Sequence, residues 1–244
     1  MIDVTLDKDV FEERLRFEGG LRYHDQHPFH VRMHEGRLSR QELATWVENR
    51  YYYQTRLPIK DALIVAKSED REFRRAWAER LAEQDGSRKN GDRQPSGGLE
   101  LWLALAEGVG LDRRRVERCD HVLPRVRTAC DRYVSFVRRA TLVEAVASSL
   151  TECFAPELME RRILSWERHY PWAADAGRAY FERRVKRARV DATHGLDFVL
   201  SHAVTHEAQE RCVEALITKC EILWELLDAV DAAGAPVREI AESA

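Results

Sequence analysis

The sequence predicts an all-α protein on three observations. Apolar residues recur at three-and-four spacing almost from end to end, alternating β-branched runs are nearly absent, and glycine and proline are sparse and fall mostly between the periodic segments. At 244 residues, with 44% hydrophobic and 33% charged side chains, the chain has the composition of an ordinary globular protein and the length for a substantial core. No linker divides it, so residues 1–244 are read as a single helical-bundle domain. A formal net charge of −3 supplies no global attraction to nucleic acid or to an anionic membrane, so any anion site has to be local. The N-terminal stretch MIDVTLDKDVFEERLRF lacks the apolar run of a signal peptide, and no segment is long and apolar enough to span a bilayer. A cytoplasmic location without a membrane partner is the expectation. Five cysteines, Cys119, Cys130, Cys153, Cys212 and Cys220, include no CxxC pair, and their odd number argues against a complete disulfide framework. They read as reduced core residues.

Taken in order, a short helix is expected over 8–17, ended by Gly19 and Gly20. The following YHDQHPFHVRMHEG carries Pro28, suited to a first helical turn, and Gly36, suited to a helix end. His27, His30 and His34 in this segment share a spacing that invites a metal reading, but carboxylates at matching offsets are missing, which leaves them structural. In LATWVENRYYYQTRLPIK, residues Leu43, Trp46, Val47, Arg50, Tyr53 or Gln54, and Leu57 lie on one helical face, and Pro58 is expected to bend or restart the chain just before Lys60. The next helix spans about 70–84, with Phe73, Ala76, Trp77, Arg80, Leu81 and Gln84 on one face. The run DGSRKNGDRQPSGG over 85–98 is irregular and basic, and reads as a surface connection, with a mobile lid as the alternative. Helices follow over 99–108, 112–118, 123–139 and 141–153, then through FAPELMERRILSW with Arg161 and Arg162 in its middle, and HYPW turns the chain at Pro171.

The last two helices are the longest. The face Tyr180, Arg184, Ala188, Asp191, Gly195, Phe198 and His202 is expected to run inward or along a seam. In the final helix Cys212, Leu216, Lys219, Leu223, Leu226 and Val230 step by four and three, which puts Lys219 in the middle of an apolar stripe. An inward guanidinium or ammonium costs several kcal/mol of desolvation unless anions meet it. Arg50, Arg80, Arg184 and Lys219 come from four helices with few obvious inward carboxylates, which points to a cavity for a polyanionic small molecule.

Other chemistries fit less well. A di-iron carboxylate bundle needs Glu-x-x-His on two helices, whereas the chain offers Asp191-Ala-Thr-His194 and the pair His202 and His206. No cysteine sits in an electropositive Cys-His context, and no strand precedes a glycine-rich phosphate loop.

The motifs YHDQHPFHVRMHEG, NRYYYQTRLPIKDA, SSLTECFAPELMERR, SWERHYPW and the KCEILWELLDA end, in this order, resemble the pyrroloquinoline-quinone synthase family, and the likeness covers nearly the whole chain. The resemblance implies a haem-oxygenase/TenA-like helical bundle without haem, assembled as a homodimer. It implies a cofactor-independent oxidase that closes a ring and oxidises a ring-open quinoid precursor to pyrroloquinoline quinone, with dioxygen as co-substrate and hydrogen peroxide as by-product. The alternatives are a diverged relative acting on another anionic quinoid or aromatic polyacid, and a non-catalytic carrier of the quinone.

Carried over position by position, the resemblance implies substrate binding by Tyr23, Arg50, Gln54, Lys60, Arg80, Tyr133, Thr151, Glu152, Arg162 and Lys219. It implies catalytic roles for His24, Gln84, Tyr180 and Arg184, the last two flanking the place of dioxygen or peroxide, and it implies no metal. The chain departs from the family pattern at Gln84 and Met159, where the family carries histidines. Glutamine hydrogen-bonds but takes no proton near neutral pH. The loop after Gly86 is longer than the family's, and the tail from residue 235 is shorter and unlike it.

Overall fold

The computed structural model describes residues 4–86 and 97–234. The interior of the 85–98 loop, with its lid alternative, and the tail from 235 lie outside the described residues. The described chain is helical throughout: α1 (Lys8–Arg22), α2 (Pro28–His34), α3 (Arg40–Ala66), α4 (Arg71–Asp85), α5 (Gly98–Gly108), α6 (Arg113–Glu117), α7 (Pro124–Arg139), α8 (Leu142–Ala147), α9 (Ala155–His169), α10 (Pro171–His202) and α11 (His206–Gly234). Two 3-10 turns, His24–Gln26 and Leu150–Cys153, interrupt the regular elements.

Local chemistry sets several of these boundaries. Ser39 caps α3 through a capping box with Glu42, and Thr141 does the same for α8 with Glu144, each satisfying backbone N–H groups that the first turn leaves free. Asp70 caps α4 by accepting from the backbone N–H groups of Glu72 and Phe73. His27 caps α2: its Nδ1 accepts from the Phe29 N–H at 3.0 Å, and Pro28 occupies the first turn.

Three expectations are corrected. Pro58 does not restart the chain, because α3 runs unbroken from Arg40 to Ala66. An internal proline costs about 3 kcal/mol, and burial along α3 from Leu43 to Ile64 outweighs it. Gly19 and Gly20 likewise do not end α1. Gly19 is there for close approach: a Cβ would stand 2.6 Å from the Phe154 ring. The segment 141–153 is not one helix but α8 followed by a 3-10 turn, which brings Thr151 and Glu152 to the site.

The bundle is organised around α3, α10 and α11. One apolar cluster runs from Phe11 to Val230 and includes the T-shaped pairs Trp46–Trp102 and Trp46–Trp166, with ring centroids 5.4 and 6.2 Å apart. Trp102 donates its indole N–H to the Val47 carbonyl at 2.9 Å, which ties α5 to α3. On α11 the predicted stripe is buried throughout, Lys219 included, at 1% exposure. On α10 the expected inward face is buried at Tyr180, Ala188, Asp191 and Gly195, but it reaches solvent at His202.

Candidate functional site

The middle of α3, the start of α9, the first half of α10 and the middle of α11 converge with the two 3-10 turns on a small cavity. Eight of the residues singled out from the sequence line it: Tyr23, His24, Arg50, Gln54, Thr151, Glu152, Tyr180 and Arg184. Met159 lines it too. Lys60, Arg80, Tyr133, Arg162 and Lys219 are buried but are not part of this lining, and neither is Gln84. Gln84 lies at the α4–α5 junction, where its Oε1 would stand 2.4 Å from a Cβ on Gly98. The sequence reading did not assign Tyr53, Leu57, Ala155 or Leu223 to the site. The signal for three of them was present: Tyr53 and Leu57 share the helical face of Arg50, and Leu223 the stripe of Lys219.

The buried charges separate into two classes. The expectation of few inward carboxylates is corrected for three cations. Lys60 lies 2.7 Å from Asp61 Oδ1 and donates to Ser149 Oγ at 2.9 Å. Arg80 Nε stands 3.4 Å from Asp191 Oδ1, its Nη2 donates to the Asp191 carbonyl at 2.6 Å, and its guanidinium covers the Trp77 ring. Arg184 donates to Glu152 across the cavity wall. The Lys60 pair was illegible in sequence because Asp61 directly follows Lys60, and neighbouring helical residues do not normally face each other, while the other two join residues 111 and 32 positions apart on different elements.

The other three cations, Arg50, Arg162 and Lys219, have no carboxylate partner among the described residues. Arg50 covers the Tyr53 ring at 4.0 Å from its centroid. Arg162 donates to His30 Nε2 at 3.2 Å and lies over the Trp46 ring. Because that nitrogen accepts, the His30 proton is on Nδ1, which donates to the His24 carbonyl at 2.9 Å. Lys219 Nζ donates to the Tyr53 hydroxyl oxygen at 2.7 Å and lies 3.5 Å from the Tyr133 ring centroid.

Electrostatics follow from this arrangement. Burial, reinforced by Arg50 and Lys60, holds the Lys219 ammonium well below the ordinary lysine range. Burial and then Arg50 push Arg162 down to about 9, so its guanidinium keeps its charge at neutral pH. Burial, Arg50 and Arg162 hold His24 well below the usual imidazole value, so it is neutral. Burial opposes the charge on Glu152, but Arg184, Arg80, Lys60 and Lys219 outweigh it and keep the carboxyl ionised below its ordinary value. Burial raises the Tyr180 phenol against the opposing pull of Arg184 and Arg50, so the hydroxyl remains a donor.

Two histidines of this segment, His27 and His30, are engaged within the fold. His27 donates from Nε2 to Asp228 at 3.1 Å while its Nδ1 caps α2, and both ring nitrogens of His30 are also engaged. Among the described residues no group of three or more His, Cys, Asp or Glu side chains is placed to hold a metal ion. The five cysteines are unpaired, and Cys153 is the one that is not fully buried. No helix among the described residues is long and apolar enough to cross a membrane.

A model of the TENA/THI-4/PQQC family matches residues 12–229. The chain belongs to this family. Within it, the chain is 48% identical over 233 residues to a pyrroloquinoline-quinone synthase of Pseudomonas aeruginosa, covering 96% of this chain and 91% of the relative. It is 48% identical over 229 residues to the enzyme of the same name in Pseudomonas syringae pv. syringae, covering 94% and 89%. Among solved structures, a domain of unknown function with a heme oxygenase-like fold from Shewanella denitrificans superposes with a TM-score of 0.75 at 14% identity, covering 94% of each chain. A TenA homologue from P. horikoshii superposes at 0.69 with 15% identity, covering 92% of this chain and 99% of the homologue. These likenesses establish the all-α, haem-oxygenase/TenA-like bundle expected for the family.

Proposed function

We propose that this family member closes the ring of a quinoid precursor and oxidises it with dioxygen to pyrroloquinoline quinone, releasing hydrogen peroxide and using neither metal nor organic cofactor. The observation that carries the reading is three cations without carboxylate partners among the described residues: half-buried Arg50 lines the cavity, Lys219 is buried behind the lining Tyr53, and Arg162 is buried against His30, which is bonded to the lining His24. The 48% identity to pyrroloquinoline-quinone synthases over nearly the whole chain supports a polycarboxylate quinoid as the acid they meet.

In this reading Arg50, Arg162 and Lys219 bind substrate carboxylates and quinone oxygens, with Lys60 and Arg80 adding field from behind their own carboxylates. Tyr23, Gln54, Tyr133, Thr151 and Glu152 complete the binding wall. Glu152 also holds Arg184 beside Tyr180, where dioxygen or peroxide is placed. His24 and Tyr180 are the neutral proton-transfer groups of the lining, His24 as acceptor once a substrate carboxylate offsets the cations that depress it, and Tyr180 as donor. The cavity measures about 50 Å³, room for a few waters. A multi-ring substrate therefore enters only as lining side chains such as Met159 and Arg184 swing aside. One apolar cluster spanning α1 to α11 supports a single domain over 1–244. A homodimer in the cytoplasm completes the proposal.

Mixing the protein anaerobically with the ring-open precursor and then admitting air tests it. Rising quinone absorbance with peroxide, unaffected by chelators, is the expected result. Binding without oxygen uptake assigns the protein as a carrier, and no binding at all overturns the anion reading. The substitution of Met159 for a family histidine at the cavity wall favours one second reading, a diverged relative taking another aromatic polyacid. It is separated by turnover of such an acid in preference to the precursor.

A further inference from the structure

Tyr53 sits at the wall where α3 meets α11, three residues after Arg50 and opposite Lys219. The Arg50 guanidinium carbon lies 4.0 Å from its ring centroid, and Lys219 Nζ lies 4.2 Å from the same centroid and 2.7 Å from the hydroxyl oxygen. Tyr53 is thus the one hydrogen-bond partner that Lys219 has among the described residues. Two cations this close repel, and the negative face of an aromatic ring offsets that repulsion without neutralising either charge. A carboxylate in the same place would have consumed the anion-binding capacity of both.

We propose that Tyr53 is a positioning residue of this pocket, holding Arg50 by its ring face and Lys219 by its hydroxyl oxygen so that both cations meet the same bound anion. The proposal rests on the reading of the cavity as an anion site. The groups facing Lys219 are known from each packed element. Arg50 and Lys60 on α3 oppose its charge, while Glu152 from the second 3-10 turn and Cys130 on α7 favour it. Tyr133 on α7 presents its ring, and His24 feels the lysine from the first 3-10 turn. Burial holds the Tyr53 phenol well above its ordinary value, so the hydroxyl keeps its proton. Its oxygen accepts from the ammonium, and its proton is free to turn toward the amine once Lys219 is neutral. The lysine nitrogen is therefore fixed in either charge state.

Tyr53→Phe removes the oxygen and keeps both ring contacts. The Lys219 charge is read in ligand-free protein by carbon NMR of lysine labelled at Cε, with Lys219→Met identifying the signal. A wild-type midpoint well below the ordinary lysine range is expected. In Tyr53→Phe it falls by a further unit or so, because the bond lost to the charged ammonium is stronger than the bond lost to the neutral amine. The melting temperature stays within a few degrees. Tyr133→Phe leaves the midpoint in place, since that hydroxyl meets Ser148 at 3.4 Å and not the lysine. Pyrroloquinoline quinone, titrated across the same pH range, then binds Tyr53→Phe about tenfold more weakly near pH 8, with affinity recovered on acidification. An unmoved midpoint in Tyr53→Phe, or an ordinary lysine value in the wild type, overturns the proposal. Failure of the wild type to bind the quinone at any pH overturns the anion reading instead, while the lysine titration still decides the role of Tyr53.

Discussion

Lys219→Met separates a functional cation from a structural one. In the folded, ligand-free protein the ammonium is 1% exposed, and its partners are a phenol oxygen and two ring faces. Its value in the folded state is held well below 10.5. Between that depressed value and 10.5 the unfolded chain carries a proton that the folded chain does not, so wild-type stability rises with pH across this window. Each unit of depression costs about 1.4 kcal/mol at neutral pH. Methionine removes that cost but leaves the Tyr53 hydroxyl without its partner, a loss of about 1–3 kcal/mol. The net expectation at pH 7 is a change from about zero to a gain of about 2 kcal/mol. For a chain of this size that is a melting temperature unchanged or up to about 5 °C higher. The gain should shrink toward pH 10, where the wild type no longer has to discharge the lysine. Binding of pyrroloquinoline quinone should weaken by about 2–5 kcal/mol when a ligand carboxylate loses its partner. Thermal melts at both pH values and a quinone titration are the assays. A fall of more than about 5 °C, or a gain that does not depend on pH, would show that Lys219 serves the fold and would remove the physical warrant for the anion site.

Other perturbations test the surrounding groups. His24 and His30 are both held neutral, by burial first and then by neighbouring cations, so stability should fall as pH drops below about 6.5, by at most about 1.4 kcal/mol per unit for each; His30→Gln should flatten the slope measured by melts between pH 7 and 5. Asp61→Asn strips Lys60 of its ion pair and weakens the bond that Asp61 accepts from the Trp77 indole at 2.8 Å, and should cost about 3–5 kcal/mol in chemical unfolding. An unfolding midpoint equal to wild type would show that Ser149 alone suffices for Lys60. Gln84→His should leave the oxygen-dependent phase within about threefold, because Gln84 does not line the cavity, while His24→Asn should slow it about a hundredfold or more; a large acceleration by Gln84→His would return that position to the proton path.

Periodicity made the bundle legible because a helix buried on one side must repeat its apolar residues every three or four positions, and α7, α9 and α11 do so plainly. The errors came where tertiary burial overrode a local signal. Pro58 carries the same backbone penalty in α3 as anywhere else, yet Leu57, Pro58, Lys60 and Ile64 are all buried around it. Gly19 looked like a terminator and is instead the point where α1 passes the Phe154 ring. Neither outcome is contained in a window of sequence, because each depends on what another element places against it.

The site was legible as a set of misplaced charges, and only in part as a geometry. The face of Arg50, the stripe of Lys219 and the seam of Arg184 each announced an inward cation: Arg50 and Arg184 line the cavity, and Lys219 is buried behind Tyr53. What periodicity does not encode is which helices meet. Asp191 was placed on an inward face, but its service to Arg80, with Arg187 as a second partner at 3.0 Å, appears only once α4 lies against α10. The same assembly decides which cations remain free. Arg80 and Arg184 read alike in sequence to Arg50 and Lys219, yet the first two meet carboxylates and the second two meet a tyrosine ring. A ring face leaves the positive charge in place where a carboxylate cancels it, and that difference in partner divides the cations that build the pocket from those that can receive an anion within it.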